Sequence, residues 1–299
     1  MQTHHWIDRQ NIGEMFYKIL VSTLLIIMSI LCLYPLLHVL AGSLSDPSSL
    51  AQHKGLLLFP QGALNFNSYD RVFLNPMISI GYLNTLFYVI IGTLVNLFFT
   101  TLGAYGLSRK DLLLKNAIMF VVVFTMFFSG GLIPLFLVVQ KIGLINSRWA
   151  VIFPVAIETT NLIIMRTAFQ SIPYGIEESV KIDGANDYVI LAKIVIPLSM
   201  PVIAVMTLFY GVTRWNAWFN ASIFLQDRVL YPLQLVIREI LIINDTNSML
   251  IGIASDAADS VSETIKYATI IISTVPILLV YPFLQKYFIK GVMIGAIKG

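Results

Sequence analysis

The chain has 299 residues, 57% hydrophobic and 12% charged, with a mean hydropathy of +0.81. Soluble globular chains carry about 25% charged residues, so this composition excludes an ordinary soluble domain and indicates a membrane protein. A net charge of +3 offers no concentrated basic face for nucleic acid. The single cysteine, Cys32, excludes a disulfide framework and a thiolate metal cluster. It lies within the first apolar run and is expected to be a buried packing residue.

Arg9 and Lys18 precede that run, which is 22 residues long from 19 to 40. A signal-peptide core is about 7–15 residues, so a retained first membrane helix is predicted. About 20 apolar residues cross a bilayer core as helix. Six stretches qualify: 16–41, 78–107, 117–139, 149–169, 194–211 and 265–288. They predict an all-α membrane protein with six transmembrane helices in one domain, 1–299. Pro35, Pro134, Pro154, Pro197, Pro201, Pro276 and Pro282 fall in these stretches. In lipid, prolines are tolerated where neighbouring helices satisfy the freed carbonyls, so kinked helices in a bundle are expected.

An even number of spans leaves both termini on one side. The short connector after the second span carries Arg109, Lys110 and Lys115, and Lys286 and Lys290 lie at the end of the last span. Short, basic connectors mark the cytoplasmic side. Both termini and the 177–193 segment are therefore expected there. The 42–77 and 212–264 segments are read as long outside loops. In the second, Trp215-Asn216, Trp218 and Tyr231 form either an interfacial anchor or a surface that receives a partner or substrate.

Within the fourth span lie Glu158 and Arg166. Eight residues of helix separate them by about 12 Å, too far for a direct pair. A charge near the bilayer centre costs about 2.5–3.5 kcal/mol, so each needs a reason. Arg166 is close enough to the cytoplasmic end to snorkel. Glu158 is deeper and faces either a translocation cavity or a partner residue. Gly130-Gly131, with Pro134, either opens a break lining the cavity or lets helices pack closely.

Between the fourth and fifth apolar spans, 172–193 is polar and structured. Connections between helices usually take about 2–8 residues. Here 176–181 has helical character, Asp183-Gly184 breaks it, and 185–193 resumes towards Pro197. Glu178-Ser179-Val180-Lys181-Ile182-Asp183-Gly184-Ala185, followed by Ile194 and Pro197, resembles the EAA loop of bacterial ABC importer permeases. Gly184 and Pro197 keep that loop's spacing of thirteen residues. Ser179 and Val180 stand where the family has two alanines, and Ile196 where leucine is usual.

Asn84-Thr85, Ala104-Tyr105-Gly106-Leu107-Ser108-Arg109, Trp215-Asn216 and the terminal Gly295-Ala296-Ile297-Lys298-Gly299 resemble carbohydrate permeases of the maltose-system type. Phe127-Phe128-Ser129-Gly130-Gly131-Leu132-Ile133-Pro134 and Tyr231-Pro232-Leu233-Gln234-Leu235 are similar to the subgroup for complex saccharides, with alginate-type and lipoprotein-associated systems. The resemblance implies a type I importer permease fold in the bacterial cytoplasmic membrane. It implies a second permease, a different chain, to complete the translocation path. Two ATPase subunits would hold ATP and Mg, and an extracytoplasmic binding protein would deliver an oligosaccharide.

The chain has no G-x-x-x-x-G-K-[ST] phosphate loop, so it is expected to be non-catalytic and to bind no cofactor. The resemblance makes Glu178, Ser179, Val180, Asp183, Gly184, Ala185, Ile194, Pro197 and Lys298 the ATPase-coupling residues. Glu178 would be the ionic contact, and Pro197 the stop that fixes the helix angle. Glu158, Gly130, Gly131, Asn84, Trp215 and Asn216 are the candidates for the cavity or substrate. Arg148, Arg214 and Arg238 are either ordinary outside-loop charges or contacts for an acidic saccharide. An ATP-independent secondary transporter or channel is the alternative. It would carry inverted repeats and broken helices with midplane ion ligands, and neither is visible in the sequence. His4, His5, His38 and His53 form no cluster suited to a membrane-embedded enzyme.

Overall fold

A computed structural model describes residues 12–242, 261–279 and 282. Every regular element among them is helical. Lys298 and the rest of the C-terminal motif, Lys286, Lys290 and the end of the last apolar stretch lie outside the described residues. So do Arg9, His4 and His5. The described chain forms two compact units, one from 12–72 with 261–271, the other from 73–242 with 272–279.

The first unit opens with α1 (Ile12–Ser43), which runs unbroken through Pro35. The most apolar window of this helix is wholly unburied within the chain. Cys32 is accordingly exposed, contrary to the expectation of a packing residue, because none of the described residues covers that stretch. A line of polar groups instead fastens the end of α1 to α15 (Val261–Leu279). Tyr267 donates its hydroxyl to Glu263 at 3.0 Å, and its oxygen lies 3.3 Å from His38 Nε2. His38 Nδ1 lies 3.3 Å from the Tyr34 hydroxyl. Gly42 permits this joint, since a Cβ there would sit 2.5 Å from the Tyr267 ring.

The segment after α1 is not simply a loop. It contains α2 (Pro47–Gln52) and α3 (Asn67–Leu74). Asp46 caps α2, accepting from the Ser49 N–H at 3.1 Å and from the Ser48 hydroxyl at 2.5 Å. Proline at the first helical position fits because that N–H has no intrahelical partner.

The second unit is organised by α4 (Pro76–Ser108), a 33-residue helix without a charge. Asn75 caps its start, accepting from Met77 N at 2.9 Å. Three bent pairs accompany it: α5 (Lys115–Phe127) with α6 (Leu132–Lys141), bent by 115°; α7 (Arg148–Ile152), extended by a 3-10 turn to Val155, with α8 (Thr159–Gln170), bent by 53°; and residues 187–198 with α12 (Met200–Trp215), bent by 84°. α8 and α12 pack on α4 directly, and α5 packs on α8. Before this last pair comes α9 (Tyr174–Ile182). Residues 187–198 hold α10 (Asp187–Ile190), a π turn over Leu191–Val195 and α11 (Ile196–Leu198). Two shorter helices follow, α13 (Phe219–Phe224) and α14 (Leu233–Ile242).

Three sequence expectations change here. The spans 117–139, 149–169 and 194–211 are each broken, where continuous kinked helices were expected. The fifth helix does not stop at Pro197 but turns at Ser199. Pro201, at the start of α12, supplies no N–H to the preceding turn. The 212–264 segment is helical over α13 and α14, and α12 itself continues to Trp215, because the helix tolerates the polar residues that end the apolar run. Pro35 and Pro276 break nothing.

The hydrogen bonds to Asp46 hold its carboxyl below the ordinary value of 3.8, the Ser48 hydroxyl contributing most. A depressed folded-state pKa adds stability that is present above the ordinary value and lost as pH falls through the folded one. Acidification below 3.8 should therefore loosen α2. Hydrogen exchange at Ser49, corrected for intrinsic rate, should show this, and Asp46→Ala should give the loosened rate at neutral pH.

Candidate functional site

The 172–193 segment is a short helix with a sharply defined end. At the C-terminus of α9, Ala185 N–H bonds to Val180 O at 3.2 Å and Gly184 N–H to Lys181 O at 3.0 Å. These two bonds make a Schellman end, with Gly184 in the left-handed region at φ +85°. Asn186 then starts α10, its side chain accepting from Val189 N at 2.9 Å. Val180 and Ala185 pack on a core whose Phe169, Ile190, Val195 and Met206 are wholly buried.

The two adjacent glutamates of α9 face opposite ways. Glu177 is 3% exposed and forms an ion pair with Arg109, one residue beyond the end of α4. Glu178 is exposed. Arg109 also bonds twice to the Ser108 hydroxyl, at 2.7 and 3.0 Å, and lies 4.4 Å over the Tyr105 ring. Further cations close the end of α4: Lys115 Nζ reaches Arg109 O at 2.9 Å, and Arg166 Nε reaches Leu107 O at 3.0 Å. Cations at a helix C-terminus meet its last carbonyls and the negative end of its dipole. The back of α9 is thus fixed to the longest helix, while its front presents Glu178, Asp183 and Ile182, the last 82% exposed. Tyr188, 78% exposed, continues this face.

A second organised place is the break in the fourth span, where helix hydrogen bonding lapses between Val155 and Thr159. In a bilayer each freed backbone group needs an internal partner. Arg214, 3% exposed on the last turn of α12, supplies most of them. Its guanidinium reaches Val151 O at 2.8 Å, Ile152 O at 3.0 Å and Val155 O at 3.3 Å. It also holds Asn96 Oδ1 at 2.7 and 3.1 Å. The Asn96 amide donates to Val155 O at 2.7 Å and Ala156 O at 3.0 Å. One turn earlier on α12, the Tyr210 hydroxyl accepts from Glu158 N–H at 3.3 Å and pairs with Thr100 at 2.7 Å. The Glu158 carboxylate caps α8, accepting from Thr160 N at 3.1 Å and Asn161 N at 2.7 Å. Gly92 leaves room for the guanidinium, as a Cβ there would lie 3.0 Å from Arg214 Nε.

Residues 100–294 match the family of binding-protein-dependent transport system inner membrane components. The chain belongs to this family. The polygalacturonan/rhamnogalacturonan transport system permease protein YtcP of Bacillus subtilis is 42% identical over 95% of this chain and 98% of its own length. Protein LplC of the same organism is 41% identical over 89% of each chain. A solved bacterial ABC transporter involved in the import of the acidic polysaccharide alginate contains a chain that superposes with a TM-score of 0.82 at 31% identity. The match covers 96% of this chain and all of that one.

Within this permease the remaining candidates lie apart. Asn84 is 3% exposed and committed internally: its amide donates to Val229 O at 2.7 Å and Tyr231 O at 3.0 Å, and its oxygen accepts from Arg148 at 2.9 Å. Gly131, at φ +85°, forms the break between α5 and α6 beside Gly130. Trp215 lines an apolar groove of about 670 Å³ together with Tyr82 and Thr93, and Asn216 is exposed next to it. Ile194 lies in the π turn, half-buried, and Pro197 is exposed in α11. None of the three arginines considered for an acidic saccharide projects freely. Arg148 bonds Asn84 and covers the Phe87 ring, Arg214 is enclosed, and Arg238 lies 3.7 Å over the Trp218 ring. Sequence reasoning read Arg109 only as a connector charge and part of a family motif, and assigned no role to Glu177 or Asn96. Asn96 had a signal, a lone amide deep in an uncharged helix.

Asn96→Leu would remove the bonds to Val155 O, Ala156 O and Arg214 together. Leaving buried polar groups unpaired costs about 1–3 kcal/mol each. Thermal melting in detergent should show a markedly lower midpoint for Asn96→Leu. Thr213→Val, which removes one exposed hydroxyl bonded to its own helix, should melt close to wild type.

Proposed function

We propose that this permease moves an oligosaccharide across the bacterial cytoplasmic membrane, paired with a second permease chain. Three long helices and three bent pairs are apolar enough to give six crossings. With six crossings, the basic end of α4 and α9 lie on the cytoplasmic side together with both termini. The saccharide assignment draws on the relatives, named for polygalacturonan/rhamnogalacturonan and arabinooligosaccharides, and on the alginate transporter. Family membership displaces the ATP-independent alternative, although broken helices are present. The described residues hold no group of acidic or histidine side chains suited to a metal ion.

The observation that carries the reading is the two-faced helix α9. Its back is riveted through Glu177, and its front offers a charge and a bulky apolar residue to another protein. Separate ATPase subunits, holding ATP and Mg, would seat Glu178 and the Asp183-Gly184-Ala185 turn in a groove. Ser179 lies exposed beside that contact, whereas Val180, expected to form part of it, packs on the core and supports the turn from behind. Closure of the ATPase pair would displace α9, and the pair of permeases would exchange inward-facing and outward-facing states, a two-state shift. An extracytoplasmic binding protein would deliver the sugar at the opposite face.

The test is ATP hydrolysis and sugar uptake by the reconstituted assembly. Glu178→Ala should lower binding-protein-stimulated hydrolysis severalfold. Gly184→Asp should lower it further, since a side chain at φ +85° strains the turn. Uptake that continues after ATP depletion with ion gradients intact would exclude the importer reading.

A further inference from the structure

One stretch of chain, bent once, leads from the turn after α9 to the break in the fourth span. Residues 187–198 leave the α9 turn, bend by 84° at Ser199 and continue as α12. From Met200 to Arg214 is about 21 Å of helix at 1.5 Å per residue. α12 contains no break along that length, and Tyr210 and Arg214 share one face four residues apart. Both grip the same segment from its two sides. Arg214 takes the carbonyls of Val151, Ile152 and Val155, where α7 and its 3-10 turn end. Tyr210 takes the N–H of Glu158, where α8 begins.

The geometry points to Arg214 as the positioning residue that transmits the coupling stroke to the break in the fourth span. This rests on the importer reading above. The grip has the features a transmitting joint needs. Every acceptor is neutral: no carboxylate lies within ion-pair reach of Arg214 among the described residues, so the cation is held by a cup of carbonyls at the negative end of a short helix. Such a cup holds the guanidinium without neutralising it. The planar fork addresses several acceptors at once, which a lysine ammonium does not reproduce. Gly92 keeps the guanidinium flat against α4, and Asn96 ties α4 to the same carbonyls. When residues 187–198 tilt, α12 moves as a rod, and its far end must carry the break with it or lose three hydrogen bonds from Arg214 and one to Tyr210.

A purely structural Arg214 and a transmitting one differ in what survives its replacement. The experiment uses the whole assembly, both permeases with ATPase subunits and binding protein, in proteoliposomes, comparing wild type with Arg214→Lys and Tyr210→Phe. Sugar taken up per ATP hydrolysed is the readout, with thermal stability measured alongside. A coupling free energy of 1–3 kcal/mol corresponds to a change of about 5–150-fold. Arg214→Lys should lower uptake per ATP by about tenfold while stimulated hydrolysis continues. Tyr210→Phe, which loses only the hydroxyl, should lower it by a smaller factor. An unchanged ratio, with uptake and hydrolysis falling together in step with stability, overturns the proposal. If Arg214→Lys fails to assemble, Tyr210→Phe decides by the same ratio. Absence of ATP-driven uptake in the wild type would instead overturn the importer reading itself.

Discussion

Inside a bilayer a backbone amide or carbonyl without a helix partner has no water to turn to. Three spans of this chain are broken in their course, and in the fourth the fold depends on polar side chains brought to the break from other helices. The break in the fourth span shows how completely this is done. Arg214 and Asn96 take the carbonyls on one side, and Tyr210 and the Glu158 carboxylate take the amides on the other. Since lipid chains are as apolar as leucine, burial of apolar residues gives little preference for one helix arrangement over another. These polar contacts therefore set the register in which α4, α8 and α12 meet.

The basic end of α4 obeys the same rule with full charges. Ending α4 leaves carbonyls that Lys115 and Arg166 approach, and Arg109 pairs with the buried Glu177. Removing one member of a buried ion pair costs about 3–5 kcal/mol, chiefly because the other is stranded. The pair is thus a firm connection between α9 and the core helix. Exposed pairs such as Lys181–Asp187, 3.6 Å apart, contribute little. A helix held by a buried ion pair behind, with an exposed apolar and acidic front, moves as part of the bundle when a partner pushes on it.

Hydropathy makes the spans legible because a bilayer demands about 20 apolar residues whatever the detailed fold. The α9 turn is legible too, since Asp183-Gly184 is a local conformational signal. The breaks are not. Pro35 and Pro276 look like Pro154 and Pro201 in sequence, yet only the last two lie at breaks, because the outcome depends on whether distant side chains satisfy the freed groups. Arg214 reads as a loop charge because its apolar run ends at Gly211; its partners are more than fifty residues away. Glu177 and Glu178 are indistinguishable by composition. Which one turns inward follows from the phase of α9 against Arg109, a tertiary fact.

The direct test of the account is charge reversal across the buried pair, read as ATP-driven sugar uptake by the reconstituted assembly. Arg109→Glu and Glu177→Arg should each abolish uptake, because two like charges would face each other and α9 would come away from α4. The double variant Arg109→Glu/Glu177→Arg should restore a substantial part of it. If either single reversal transports like wild type, or the double variant is as inactive as the single ones with its helices properly inserted, the pair is not the connection through which α9 drives the bundle.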